Sequence, residues 1–144
     1  MTLDPDDGVV ADTQVVAYLL SGDPDHAAFA ELYRPHLQDR PVAISFQTEA
    51  ELLVAQEVQG WDRQGFLSLL SEFEVIPWSR QLLARYVEVR RTAYAAWRQG
   101  VARKIDAADG WIAATALEMN RPLVTRDDKL SKSPLNQIIT ELRD

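Results

Sequence analysis

Cysteine is absent from this 144-residue sequence, and its only histidines are the well-separated His26 and His36. Without thiols there is neither a disulfide framework nor a thiolate zinc site, and two isolated imidazoles do not make a histidine metal cluster. Any bound metal must be held by oxygen. No apolar run is long enough to span a bilayer, and the opening MTLDPDDG has neither the basic flank nor the apolar stretch of a secretion signal. The expectation is a cytoplasmic protein without a membrane anchor. Basic residues are also in deficit, with 15 Lys and Arg against 22 Asp and Glu and a net charge of −7. That balance argues against a general nucleic-acid coat, which rests on surplus positive charge. What the chain does have is apolar residues, 47% of the total, enough for the core of one domain spanning 1–144.

The average charge hides an asymmetry. Between Arg80 and Lys104 stand seven basic residues (Arg80, Arg85, Arg90, Arg91, Arg98, Arg103 and Lys104) and one acid, Glu88, so this segment carries +6 and the remainder −13. A basic helix facing an acidic pocket suits a phosphodiester substrate whose attacked phosphate is bridged by cations. By itself the pattern is better read as a solvated helix face, because Arg85, Glu88, Arg91 and Arg98 have the spacing of intrahelical ion pairs.

Short apolar runs alternate with helical patterns, which predicts an α/β domain around a largely parallel sheet. Val9 to Ala11 reads as the first strand, Thr13 to Leu20 as a helix, and Pro24 to about Leu37 as a second helix. Val42 to Phe46 is the next strand, followed by a helix that starts at Thr48, with Glu51, Ala55 and Val58 on one face. A helix over about Arg63 to Phe73 leads to a short strand, Val75 to Trp78. The long helix from Ser79 to about Gln99 places Leu83, Tyr86, Val87, Tyr94 and Trp97 on one side, expected to face the core. Asp106 to Met119 is the next helix, Pro122 to Thr125 a strand, and Gln137 to Leu142 a final strand.

The acids fall at the junctions of this pattern. Asp12 ends the first strand, Glu51 lies early in the helix after the second, Asp109 opens the helix before Leu123, and Asp127 follows Thr125. In a doubly wound parallel sheet the carboxyl ends of strands gather on one edge, where such folds bind ligands. Gathered carboxylates repel one another unless they share protons or surround a cation. Magnesium or manganese, as hard cations, match carboxylate oxygen. A metal there would activate a water for attack on phosphorus and offset charge on the leaving oxygen. A structural reading competes for two of the acids: Thr48 with Glu51, and Asp106 with Asp109, both have capping-box spacing. Asp12 is different, since a charge directly after an apolar strand needs a partner or a cation.

These motifs resemble the PIN-domain family, specifically VapC-like toxins, over nearly the whole chain. Val9-Val10-Ala11-Asp12-Thr13-Gln14 is similar to the family's opening strand and first acid, with Gln14 where many members carry Asn. Ile44 to Leu52 resembles the segment ending in Glu-Leu, which points to Glu51 and not Glu49. The most specific stretches are Asp109-Gly110-Trp111-Ile112-Ala113-Ala114-Thr115-Ala116-Leu117 and Pro122-Leu123-Val124-Thr125-Arg126-Asp127. The resemblance implies a ribonuclease with magnesium or manganese held by Asp12, Glu51, Asp109 and Asp127, with Asp106 contributing or only capping. It implies a three-layer α/β/α domain and supporting roles for Thr13 and Thr125, whose hydroxyls would orient a carboxylate or a metal-bound water. The four-acid pattern with the basic segment adds the expectation that Arg126 or the basic helix steadies neighbouring phosphates. A homodimer and a cognate VapB-like antitoxin are implied as well.

Three other readings compete. A signalling receiver domain needs an acid pair at the first strand end, where Asp12 stands alone, and a late Lys directly after an apolar strand, which neither Lys129 nor Lys132 provides. A haloacid-dehalogenase-like phosphatase needs an Asp where Gln14 stands. The more credible rival is a non-catalytic PIN domain that binds RNA or a protein without cutting.

Overall fold

The computed structural model describes residues 7–21, 23–101 and 104–125 and the backbone of 141–142. Its strands are β1 (Val9–Ala11), β2 (Val42–Ser45), β3 (Glu74–Ile76), β4 (Leu123–Val124) and β5 (Glu141–Leu142). All are paired in parallel, in the order β3-β2-β1-β4-β5. The helices are α1 (Thr13–Leu20), α2 (Ala27–Leu37), α3 (Phe46–Gln59), α4 (Arg63–Leu70), α5 (Arg80–Arg98) and α6 (Ala107–Met119), and a 3-10 turn over Pro24–His26 leads into α2.

Successive side chains of a strand point to opposite faces, and that alternation sets the layers. Val9, Ala11, Val42, Ile44 and Val124 face α1 to α4, where they meet Val15, Val16, Tyr33, Leu52 and Phe66. Val10, Ala43 and Leu123 face the other way, onto Leu82 and Val89 of α5 and Ile112, Ala113 and Ala116 of α6. With helices on both faces the central strands are apolar throughout, as parallel sheets require. Full burial of each large aliphatic side chain contributes about 1.5–3 kcal/mol. The expected three-layer α/β/α architecture is therefore the one observed.

From β1 the chain moves outward to β2 and β3, then returns to place β4 on the opposite side of β1. The gap between the carboxyl ends of β1 and β4 is the point where strand order reverses. Crevices at such points bind ligands in open α/β sheets.

Several expected boundaries move. β2 ends at Ser45, and α3 begins at Phe46 instead of Thr48, because the Ser45 hydroxyl caps the helix by accepting from the Thr48 amide at 3.0 Å. The buried side of α3 accordingly carries Thr48, Leu52 and Gln56. Helix α4 stops at Leu70, short of Phe73, and β3 ends at Ile76, before Pro77. Gly60 ends α3 in the left-handed conformation, φ 69°, which costs glycine little. Of the final strand expected over 137–142, only Glu141–Leu142 lies within the described residues.

The largest difference concerns α5. Its buried side carries Leu82, Val89, Ala93 and Ala96, while Val87, Tyr94 and Trp97 from the expected core stripe are exposed. Small residues decide this. A Cβ on Gly110 of α6 would stand 2.9 Å from both Tyr86 Cε2 and Arg90 Cδ, so the missing side chain lets α5 lie close against α6. Tyr86 then stacks on Trp111 with ring centroids 4.0 Å apart. Of the expected stripe, Tyr86 is the member drawn into this seam. Leu82→Ala should cost roughly 2–5 kcal/mol of stability in a urea titration, while Val87→Ala should change it by less than about 0.5 kcal/mol. The opposite ranking would return the expected stripe to the core.

Candidate acidic site at the strand ends

Because β1 is paired on both sides, the residue after it emerges between two neighbouring strand ends. That residue is Asp12. Its amide donates to the Val124 carbonyl at 3.0 Å, and its backbone stays extended at the N-cap position of α1. Its side chain makes no capping bond to that helix. Instead the Thr125 hydroxyl donates to Asp12 Oδ2 at 2.6 Å, joining the ends of β1 and β4 across the switch point. Asp12 is 7% exposed and Thr125 is fully buried. So short a hydroxyl–carboxylate distance marks a charge-assisted bond.

On the other flank of β1, Ser45 ends β2. Its hydroxyl donates to Thr48 Oγ1 at 3.1 Å, and Thr48 Oγ1 lies 2.8 Å from Thr13 Oγ1. The expected role of Thr48 as cap is thus overturned, since Ser45 holds that position and Thr48 is a buried link between α3 and α1. Thr13 contacts this hydroxyl chain. Ser45 was not singled out from the sequence, although a serine directly closing a buried apolar strand is a recognisable N-cap signal.

Glu51 lies in the second turn of α3, half-buried, with Oε1 accepting from Gln47 Nε2 at 3.2 Å. The shift of the helix start to Phe46 takes it out of the capping-box position. At α6 the cap is Asp106, whose Oδ1 accepts from the Asp109 amide at 2.9 Å. Asp106 is exposed, whereas Asp109 is 9% exposed in the first turn of a helix packed on β1, β2 and α3. A carboxylate there lies in the favourable field of the helix N-terminus.

Asp12 directly follows β1, Glu51 lies in the second turn of the helix after β2, and Asp109 lies in the first turn of α6, with Asp12 and Asp109 nearly buried. Among the described residues, no three Asp, Glu, His or Cys side chains form a group that could hold a metal ion. The fourth expected acid, Asp127, and its neighbour Arg126 lie outside the described residues. The donor chemistry fits a hard divalent cation, because the groups are carboxylates and hydroxyls with no sulfur or imidazole beside them.

The sequence profile of the PIN domain matches residues 9–134. This chain belongs to the PIN-domain family. The fold agrees: a chain of the VapBC2 complex of Rickettsia felis, solved with a promoter DNA fragment, is 25% identical, covering 94% of this chain and 97% of that chain at a TM-score of 0.63. A chain of a toxin-antitoxin complex from Klebsiella pneumoniae is 24% identical over 88% of this chain and 93% of that chain, TM-score 0.66. A chain of the VapBC-5 complex from Mycobacterium tuberculosis is 22% identical over 95% and 98%, TM-score 0.62. A search of curated protein sequences finds no match. PIN domains are in general divalent-metal-dependent nucleases. Among the described residues of this PIN domain, no helix is long and apolar enough to cross a membrane.

The Asp12–Thr125 bond can be tested through stability alone. Thr125→Val keeps the side-chain shape but deletes a donor to a buried carboxylate, and should cost about 1–3 kcal/mol in chemical denaturation. Thr125→Ser should retain most of that stability.

Proposed function

We propose that this PIN domain is a magnesium- or manganese-dependent endoribonuclease that hydrolyses RNA phosphodiester bonds, and that it is the toxin of a VapBC-type pair. The observation that carries the reading is the Asp12 carboxylate, nearly buried at the switch point and held by Thr125. Asp12, Glu51, Asp109 and Asp127 would hold the cation, with Asp106 at the rim. When bound, the metal supplies Lewis acidity at the scissile phosphate.

The remaining work falls to the protein. Thr125 fixes the rotamer of Asp12, and Gln47 steadies Glu51 within its own helix. Asp106 satisfies the Asp109 amide, so the α6 start is capped without using the Asp109 carboxylate on that amide. The low exposure of Asp12 and Asp109 removes bulk water around them, which strengthens their interaction with any cation. Arg126 would steady a neighbouring phosphate. RNA as substrate rests on the family, and the toxin role on likeness to toxin-antitoxin complexes, which also supports a VapB-like antitoxin partner. Exposed Val54 and Val58 of α3 leave apolar surface for a homodimer contact.

Purified protein should degrade RNA with manganese or magnesium and stop when EDTA is added. Asp12→Asn and Asp109→Asn should each lower the cleavage rate by roughly 100-fold or more, with helical content unchanged by circular dichroism. Wild-type activity in Asp12→Asn would instead support the non-catalytic reading, in which the domain binds RNA or protein without cutting.

A further inference from the structure

The sequence singled out both the basic segment and the aromatic residues of α5, and the acidic site uses neither. They meet in a groove of about 430 Å³ lined by Arg90, Arg91, Tyr94, Trp97, Lys104 and Ile105, among others. The groove adjoins the acidic site. Ile105 directly precedes Asp106, its carbonyl accepts from Arg90 Nη1 at 3.0 Å, and Gly110, next to Asp109, lies against Tyr86 and Arg90.

Its chemistry differs from that of its neighbour. Among the described residues the lining holds three cations and no acid, in a chain whose net charge is −7. Tyr94 is 58% exposed and Trp97 39%, with ring centroids 5.7 Å apart and planes tilted by 49°, so neither ring stacks flat on the other. Lys104 Nζ sits 4.8 Å from the Trp97 centroid. Exposed π faces beside cations suit a ligand that offers both bare bases and phosphates, which is a single-stranded nucleic acid, and for the proposed ribonuclease that is RNA. A duplex hides its base faces within the stack. A second copy fits poorly, because a two-fold contact through this groove would set Arg90, Arg91 and Lys104 near their own equivalents.

We propose that the α5 groove is a subsite for single-stranded RNA beside the scissile phosphate, with a base stacked on Tyr94 and phosphates met by Arg91 and Lys104. The proposal rests on the ribonuclease reading and adds to it a metal-independent contact on the substrate.

The test is fluorescence anisotropy with a short labelled single-stranded RNA in EDTA, where no cleavage occurs. Tyr94→Ala should weaken binding about tenfold, and Tyr94→Phe, which keeps the ring, should bind like wild type. Lys104→Gln should flatten the logarithmic salt dependence by about 0.7. An unlabelled duplex of the same sequence should compete weakly. Unchanged affinity in Tyr94→Ala overturns the subsite, and if that variant also shifts the protein to a smaller assembly in sedimentation, the groove is a protein contact. The two readings fail separately. Protein that loses RNA binding with Tyr94→Ala but never cleaves with manganese supports the groove and removes the nuclease. Cleaving protein whose binding ignores Tyr94 does the reverse.

Discussion

The hydrogen bond from Thr125 to Asp12 is the constraint around which the rest of the molecule is arranged. A carboxylate at the end of a strand paired on both sides cannot reach bulk water easily, and burying it without donors would cost several kcal/mol. The donor comes from β4, so β4 must lie beside β1 in register, and it does, with Ala11 opposite Val124. That register depends on α6, the element that delivers β4. The same helix carries Asp109 at its start. One packing arrangement thus places two acids and the hydroxyl that holds one of them.

How α6 is held explains why the site and the α5 groove are neighbours. Trp111 stacks on Tyr86 of α5 and meets Phe46 of α3 edge-on, with centroids 5.2 Å apart. The residue before it, Gly110, permits the close approach of α5. The Arg85–Glu118 pair also joins the two helices, but Arg85 is about half exposed, so solvent screens it and its contribution is small. Apolar contact therefore sets the alignment of α5 on α6, and the ion pair decorates it. Leu82, Tyr86 and Val89 of α5 pack inward, while Val87, Tyr94 and Trp97 are left facing outward.

That outcome also explains what could be read in the sequence. The alternation of Val9, Val10 and Ala11, and the break after Leu20, depend on local pattern, and a strand buried on both faces leaves little choice. The junction positions of Asp12 and Asp109 followed from the same pattern. Helix α5 misled because it has two usable stripes, and amphipathicity alone ranks the bulkier one first. The seam also depends on Gly110 of another helix, which lies against Tyr86 and Arg90, information that no window along α5 contains. Ser45 in place of Thr48 is a milder case. Both can cap, and only the burial of Thr48 against Thr13 decides between them.

Charge was legible in total but not in place. A net −7 counts against RNA binding only if charge is spread evenly, and the structure sorts the basic segment into different fates. Arg85 is engaged by Glu118 and Glu88, and Arg90 donates to the Ile105 backbone, so part of the positive charge maintains the α5–α6 seam. Arg91 and Lys104 instead line the groove beside the α6 start. Screening in physiological salt acts over about 8 Å, so a local patch of this kind is felt at its own surface while the distant acids are damped. An acidic protein can in this way present a polyanion with a cationic approach and a carboxylate pocket side by side. If the acids act as proposed, they repel a substrate phosphate unless a cation lies between them, and metal occupancy then becomes a condition for productive contact.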